Sequence, residues 1–441
     1  MMSSLKEFLI LNGLFPLGEL VMGTCATRWL RRIARMEKWT PAEVKAWQEE
    51  RLQAFVRHAY EHTAYYRKQF DSLGLKPEDI RTKDDLKKLP VITKETVNAH
   101  YEEFIPDNLS SFKYRLSRSG GTTGVPIQYY CDENVWGYVT AARIYHWRKA
   151  GYRYGDAFIA LGSASLFSKA PSLPRRLYDK LRNEHPLNCV NMTDEVCKGY
   201  CEYIDKNRIH YIYGYAAAIF MFADYVRRTG AVLPEIKGVF TTSENLTDHY
   251  RETIEQVFRC KVMDCYGARD AGITAYEDGY HRYRIGYNAI VELVDAIEEN
   301  VGSVVTTNIL NYAFPLIRYR FGDEAELIPD GEVEGYNGQM LRRILGRSSH
   351  VLRLENGHHL TATGISMIMK EFDISAFDIR KTGENQVLLR IQTIPEKYTP
   401  AQDAEIVKTF KRYLGDDCTL DIEYVAQFEP NANGKRTYFM V

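Results

Sequence analysis

Between residues 39 and 70 apolar side chains recur at Val44, Trp47, Leu52, Phe55, Val56, Ala59 and Tyr60, the spacing of one helical face. Thr40 followed by Pro41 supplies a cap and a first turn, so the stretch predicts a helix. Residues 86–96, LKKLPVITKET, read as a breaker followed by a second capped start. Helical patterns at 193–207, 216–229 and 247–258 then alternate with short β-branched runs at 236–242, 261–266 and 303–310. That alternation predicts an α/β architecture with a substantial sheet.

From about residue 346 the rhythm changes. Residues 351–354 and 359–360 flank Asn356-Gly357 as a small hairpin, and 363–372 read as a helix. Residues 377–382 and 386–393 form a second hairpin around Gly383-Glu384-Asn385. A helix starting at Thr399-Pro400 presents Ile406, Val407, Phe410 and Leu414 on one face and stops at Gly415; a strand over 419–428 follows. The expected organisation is a large multi-layer α/β N-terminal domain over 1–345, with a helical lead-in over 1–95, and a small α+β C-terminal lid domain over 346–441.

Composition narrows the function classes. In a chain of 441 residues, 57 Lys and Arg stand against 58 Asp and Glu, a net charge of −1, which argues against nucleic acid as the main partner. Eight cysteines, among them Cys189, Cys197, Cys201, Cys260 and Cys265, show no CxxC pair and read as reduced thiols of a cytoplasmic protein. Residues 8–23 are apolar but hold Gly13, Pro16, Gly18 and Glu19, and are shorter than the ~20 residues of a bilayer span. The expectation there is a docked or membrane-skimming segment, without a transmembrane span. A homodimer is compatible with all of this.

The strongest chemical signal is Ser117-Arg118-Ser119-Gly120-Gly121-Thr122-Thr123-Gly124-Val125-Pro126. Three glycines among hydroxyls leave backbone N–H groups free to converge on phosphate oxygens, although the Gly-Lys-Ser/Thr ending of a Walker A loop is missing. A plain surface turn is the alternative. Asp264-Cys265-Tyr266-Gly267-Ala268-Arg269-Asp270 follows a predicted strand, NYAFPLIRYRFGD (311–323) places Asp323 after a Gly, Gly346-Arg347 opens the expected joint, and Lys435 sits beside Gly434 near the end. Singly, each reads as a turn residue or a solvated charge. His58 with His62, and His358 with His359, lack a third ligand and read as surface or packing residues.

In that order the segments resemble the adenylate-forming enzyme superfamily, and within it the phenylacetate–coenzyme A ligase and CapK branch. Residues 48–70, 86–95 and 311–323 resemble the signatures of that branch. The resemblance implies an ATP- and Mg²⁺-dependent ligase that activates a small carboxylic acid as acyl-AMP and transfers it, by default, to coenzyme A. It implies that Ser119, Gly121, Thr122, Thr123 and Gly124 hold phosphates and that Tyr266, beside Gly267, stacks on adenine. It further sets Ser243 and Glu244 along the base, Asp264 near its amino edge, Asp323 at the ribose and Arg347 at ribose and phosphate. Asp270 would hold Mg²⁺, and Lys435 would bridge the attacking carboxylate and the α-phosphate. Tyr145, His146, Tyr213, Tyr215 and Ala216 fall in the segments that would face the acid.

The chain departs from the family pattern at four places: Gly120 for a hydroxyl residue, Val125 for a frequent Lys, Asp270 for Glu, and His350 for a frequent hinge Asp. Two rival readings follow. One is transfer to an amine or hydroxyl in surface polysaccharide or conjugate biosynthesis. The other is a catalytically weakened relative that serves as a scaffold.

Overall fold

A computed structural model describes residues 7, 10–22, 24–119, 127–162, 173–189, 192–244, 246–279, 282–347, 351–356, 359–361, 365, 368–369 and 372–428. The chain begins with α1 (Phe15–Met22) and α2 (Ala26–Met36), then α3 (Pro41–His62) and α4 (Ala64–Leu73). The cap read at Thr40 is a full capping box: the Thr40 hydroxyl accepts from Glu43 N, and Glu43 accepts from Thr40 N at 2.7 Å. The single helix expected over 39–70 is broken at Thr63. Its backbone is extended, its hydroxyl donates to Ala59 O at 2.7 Å and accepts from Tyr66 N, so it ends one helix and caps the next. A short α5 (Lys94–Ala99) follows the 86–93 turn.

Eleven strands make the main sheet. Its parallel half runs β4 (Glu184–Asn188), β3 (Phe158–Gly162), β5 (Tyr211–Tyr215), β6 (Gly238–Thr242), β7 (Val262–Ala268). The antiparallel half continues through β8 (Ile273–Glu277), β9 (Tyr283–Ile285), β13 (Met340–Arg347), β12 (Tyr319–Leu327), β11 (Val301–Asn308) and β10 (Ala289–Glu298). Helices α8 (Asp194–Lys206), α9 (Ala216–Thr229) and α10 (Asp248–Phe258) are the crossovers of the parallel half, within a residue or two of the periodic runs in the sequence. Their apolar faces and Ile159, Ile212 and Val239 of the sheet form one core cluster. On the other face α6 (Glu133–Trp147) lays Trp147 flat on Phe240, ring centroids 4.3 Å apart. The largest cluster joins α2–α4, α6 and the antiparallel strands through Trp29, Phe55, Tyr138, Phe314 and Tyr319. A separate hairpin, β1 (Tyr114–Arg118) with β2 (Gln128–Asp132), carries the glycine-rich loop at its tip.

The C-terminal part has its own cluster, drawn from Leu352 onward. Its hairpins are β14 (Val351–Arg353) with β15 (His359–Thr361), and β16 (Ile374–Gly383) with β17 (Gln386–Thr393). Helix α11 (Ala401–Leu414) leads to β18 (Thr419–Tyr424), parallel to β17. Ile406, Phe410 and Leu414 are its buried residues. This unit meets the larger one at exposed groups: Arg227–Glu396 at 3.9 Å, Lys397–Glu252 at 4.0 Å and Gln427 on the Met221 sulfur at 3.9 Å. Exposed ion pairs at such separations contribute little.

The 86–96 segment turns out to be a fastener. Ile92 exchanges backbone hydrogen bonds with Arg318 and Arg320 at the start of β12 (3.0 and 2.9 Å), and Arg318 reaches Leu89 O. Arg318, itself in a left-handed conformation, pairs with Glu292 at 3.1 Å, both side chains nearly covered. Removing one partner of such a pair strands a buried charge. We therefore expect Arg318→Ala to cost about 3–5 kcal/mol in urea denaturation, and Arg318→Met with Glu292→Leu to recover most of it; a single variant as stable as the parent contradicts this account.

Candidate active site

In a sheet of this kind the carboxyl ends of the parallel strands, where chains turn into helices, are the natural ligand edge. The ends of β5, β6 and β7 deliver Tyr215, Ser243 and Tyr266 to that edge. Ser243 adopts φ of 67°, a left-handed turn that a side-chain-bearing residue takes at a cost, and it is exposed. Glu244 turns back and accepts from Ala217 N at 2.9 Å in the first turn of α9. Gly267 makes a close approach, since a Cβ there would stand 3.1 Å from Ile273 O on β8 and would need that strand to give by a few tenths of an ångström.

Asp323 arrives from the other half of the sheet. Phe321, Gly322 and Asp323 stand against the single residue Val304 of β11, and Gly322 has φ of 96°, so β12 bulges and re-aims Asp323. The Tyr266 hydroxyl donates to Asp323 Oδ2 at 2.9 Å. Three strands separate β7 from β12 in the sheet order, about 19 Å if it were flat. The contact therefore requires the sheet to curl, bringing Tyr266 and Asp323 together from its two halves. Asp323 is also the cross-strand partner of Arg347 on β13, so the two segments read from the sequence lie side by side at the backbone.

Four residues before Asp323, Tyr319 donates its buried hydroxyl to Asp270 Oδ2 at 3.1 Å; burial and that carboxylate push the phenol's titration up. Asp270 is also an electrostatic neighbour of Tyr129 on β2. The glycine-loop hairpin is fixed from the same segment: Asn311 accepts from Asp132 N at 3.0 Å and donates to Tyr130 O at 3.1 Å. Arg269, next to Asp270, and Arg115 of β1 lie over the Trp136 ring of α6 at 5.8 and 5.7 Å. Asn311, Tyr319 and this arginine–tryptophan group were not singled out as site residues from sequence, although two of them lie in the 311–323 signature.

Several expected ligands have other partners. Ser119 is buried at the neck of the loop; its N–H donates to Ile127 O and its hydroxyl accepts from Ile127 N, both 2.9 Å. Gly121, Thr122, Thr123 and Gly124, in 120–126, and His350 and Lys435 lie outside the described residues, as does the side chain of Arg347. Asp264 was expected at the adenine edge but is turned into the protein: Thr241 donates to one oxygen at 2.6 Å and Tyr283 to the other at 2.9 Å. Glu277 accepts from Asp264 N at 3.0 Å and pairs with buried Arg251 at 2.7 Å. Burial raises the Asp264 carboxyl's pKa, and the network fixes β7 beneath Tyr266.

The acid-pocket positions also separate. Tyr215 and Ala216 are closed into the core beneath α8–α10. Tyr145 lies in the electrostatic neighbourhood of Glu37, Arg284 and Arg148. Two steps along a helix rotate by 200°, so the opposite side of α6 carries Arg143, which covers the rings of Trp147 and Tyr213 at 5.2 and 5.5 Å. Arg143 and Trp147, whose ring centroid is 5.2 Å from that of Tyr213, are α6 groups beside Tyr213, and sequence reasoning missed Arg143. Cys265 is half-buried, and desolvation pushes its thiol up to about 12, which disfavours the thiolate a nucleophile needs. Among the described residues no cluster of three or more His, Cys, Asp or Glu could hold a metal, and no helix is long and apolar enough to cross a membrane.

His146 stacks on Tyr276 at 4.3 Å; its Nδ1 is buried without a hydrogen-bond partner, and burial lowers its pKa from 6.5 to about 3. A depressed folded-state value means stability is full above pH 6.5 and falls as pH drops toward 3, because the unfolded chain takes up the proton first. His146→Phe should keep the stack and flatten that acid limb by one proton when stability is measured against pH. Superimposable acid limbs would contradict this.

No family model matches the chain. The protein CapK of Staphylococcus aureus is 21% identical over 400 residues, 89% of this chain and 88% of that protein. A phenylacetate–coenzyme A ligase of Pseudomonas putida is 27% identical over 347 residues, 72% of this chain and 73% of the ligase. Among solved structures, a 2-hydroxyisobutyryl-CoA ligase in the postadenylation state in complex with R3-HIB-AMP aligns with a TM-score of 0.66 at 19% identity, over 92% of this chain and 90% of that one. The chain has the fold of the adenylate-forming ligases, and its homologues are phenylacetate–coenzyme A ligases and CapK.

Proposed function

We propose that the protein is an ATP-dependent ligase that joins a small carboxylic acid to the thiol of coenzyme A through an acyl-AMP intermediate. The observation that carries the reading is the Tyr266–Asp323 contact, which brings together two motifs 57 residues apart at the ligand edge of the sheet. Asp323, held by the Tyr266 hydroxyl, accepts hydrogen bonds from the ribose hydroxyls, and the Tyr266 ring lies against the adenine. The glycine-rich segment 120–126, together with Arg269, would bind the phosphates.

In the first half-reaction a carboxylate oxygen of the acid attacks the α-phosphorus and pyrophosphate leaves. In the second the coenzyme A thiol, losing its proton, attacks the acyl carbon and AMP leaves. Neither step needs a protein nucleophile; positioning and charge neutralisation do the work. Asp270, a hard oxygen donor steadied by Tyr319, fits Mg²⁺, which is commonly held by one or two carboxylates together with substrate phosphates. When bound, the ion would neutralise charge on the phosphates. Ser243, Glu244 and Asp264 shape the adenine side as positioning groups, and the acid is placed between α6 and the ends of β5–β7, beside Arg143 and Tyr213. The C-terminal unit, with its separate core and, among the described residues, few contacts to the larger unit, would move as a lid that delivers Lys435.

A second reading, transfer to an amine or hydroxyl, is favoured by the CapK match, which extends over 89% of the chain. A panel of acids assayed for pyrophosphate exchange into ATP, with product analysis with and without coenzyme A, separates the two. Thioester product supports the first reading and amide or ester product the second; ATP binding without exchange by any acid overturns both. Tyr266→Phe should raise the KM for ATP about tenfold with kcat little changed, the loss of one hydrogen bond to a charged acceptor. Lys435→Ala should abolish adenylate formation yet spare transfer from supplied acyl-AMP, whereas equal loss of both half-reactions contradicts its role.

A further inference from the structure

The N-terminal helices carry a surface that the proposed reaction does not use. Leu14, just before α1, and Leu17 and Leu20 within it are 53, 62 and 75% exposed and recur every third residue. Beside them, Arg28, Arg31 and Arg35 recur at i, i+3 and i+7 on the exposed side of α2, and Lys38 extends the stripe. Arg31 donates to Asn12 at 2.9 Å, which places the stripe directly against the turn that bears Leu14.

Arg28 is partly balanced, since it lies in the electrostatic neighbourhood of Asp132 and Glu133 and donates to Asn134. The carboxylates near Arg31, Arg35 and Lys38 are committed elsewhere. Glu19 faces inward onto Thr27, Glu37 pairs with Arg284, and Glu43 caps Thr40. Between residues 10 and 36 four arginines stand against that one inward glutamate, in a chain whose net charge is −1. Leucines row upon row with cations at their flank are the two components of peripheral adsorption to anionic lipid: apolar side chains enter the acyl boundary while guanidinium groups meet phosphate. A second copy of the chain is disfavoured as occupant, because a two-fold contact would oppose the stripe to itself. Nucleic acid would leave the leucines exposed.

We propose that α1 and α2 dock this protein on an anionic membrane surface, independently of the proposed reaction. The test is cosedimentation of the full chain with vesicles of phosphatidylcholine, with or without phosphatidylglycerol, at low and high salt. The expected result is binding selective for the anionic vesicles and weakened by salt. Arg31→Gln with Arg35→Gln should weaken it about 30-fold, and Leu17→Ser with Leu20→Ser about 100-fold, with thermal midpoints unchanged. Equal binding to neutral vesicles, or no response to either pair, overturns the proposal. So does a leucine-dependent dimer without vesicle binding, which would assign the surface to a second copy.

Discussion

One hydrogen bond, Tyr266 to Asp323, constrains the rest of the molecule. It joins two strands with three others between them in the sheet order, so the antiparallel half must curl toward the parallel half. The curl is prepared at several points: the bulge and left-handed Gly322 in β12, the close approach allowed by Gly267, and the Ile92–Arg318 clamp at the start of β12. The buried Thr241–Asp264–Tyr283 and Arg251–Glu277 groups then hold β7 from below. Buried polar networks of this sort specify one arrangement at high cost to any alternative.

The 311–323 segment that leads into β12 organises the rest of the site. Asn311 fastens the glycine-loop hairpin and Tyr319 steadies Asp270, so a run of thirteen residues sets the positions of three separate site elements. This explains why NYAFPLIRYRFGD is a recognisable signature even though Asp323 is its only residue expected at the nucleotide. The rest of the signature is positioning.

Much of the frame was legible in the sequence because it is local. The crossovers α8–α10, the strands β6 and β7, and the C-terminal hairpins and helix follow from periodicity and turn residues, and the capping box at Thr40 was readable as a pair. The break at Thr63 was not, since the helical face continues through it and only its hydroxyl's two backbone bonds end the helix. Asp264 could not be told from an exposed ligand because its partners Thr241 and Tyr283 lie 23 and 19 residues away. Tyr145 and Arg143 differ by a half-turn of α6, and only packing of Trp147 on Phe240 decides which side meets β5. Long-range contacts, rather than propensity, separated ligand from support.

The central claim is that Tyr266 and Asp323 enclose one nucleotide. Photocrosslinking with 8-azido-ATP, followed by mass-spectrometric mapping, tests it most directly. The account predicts ATP-competed label at Tyr266 and its neighbours within 264–268. Label concentrated on a surface away from the β5–β7 edge, with the 264–268 and 319–323 peptides unmodified, would contradict it.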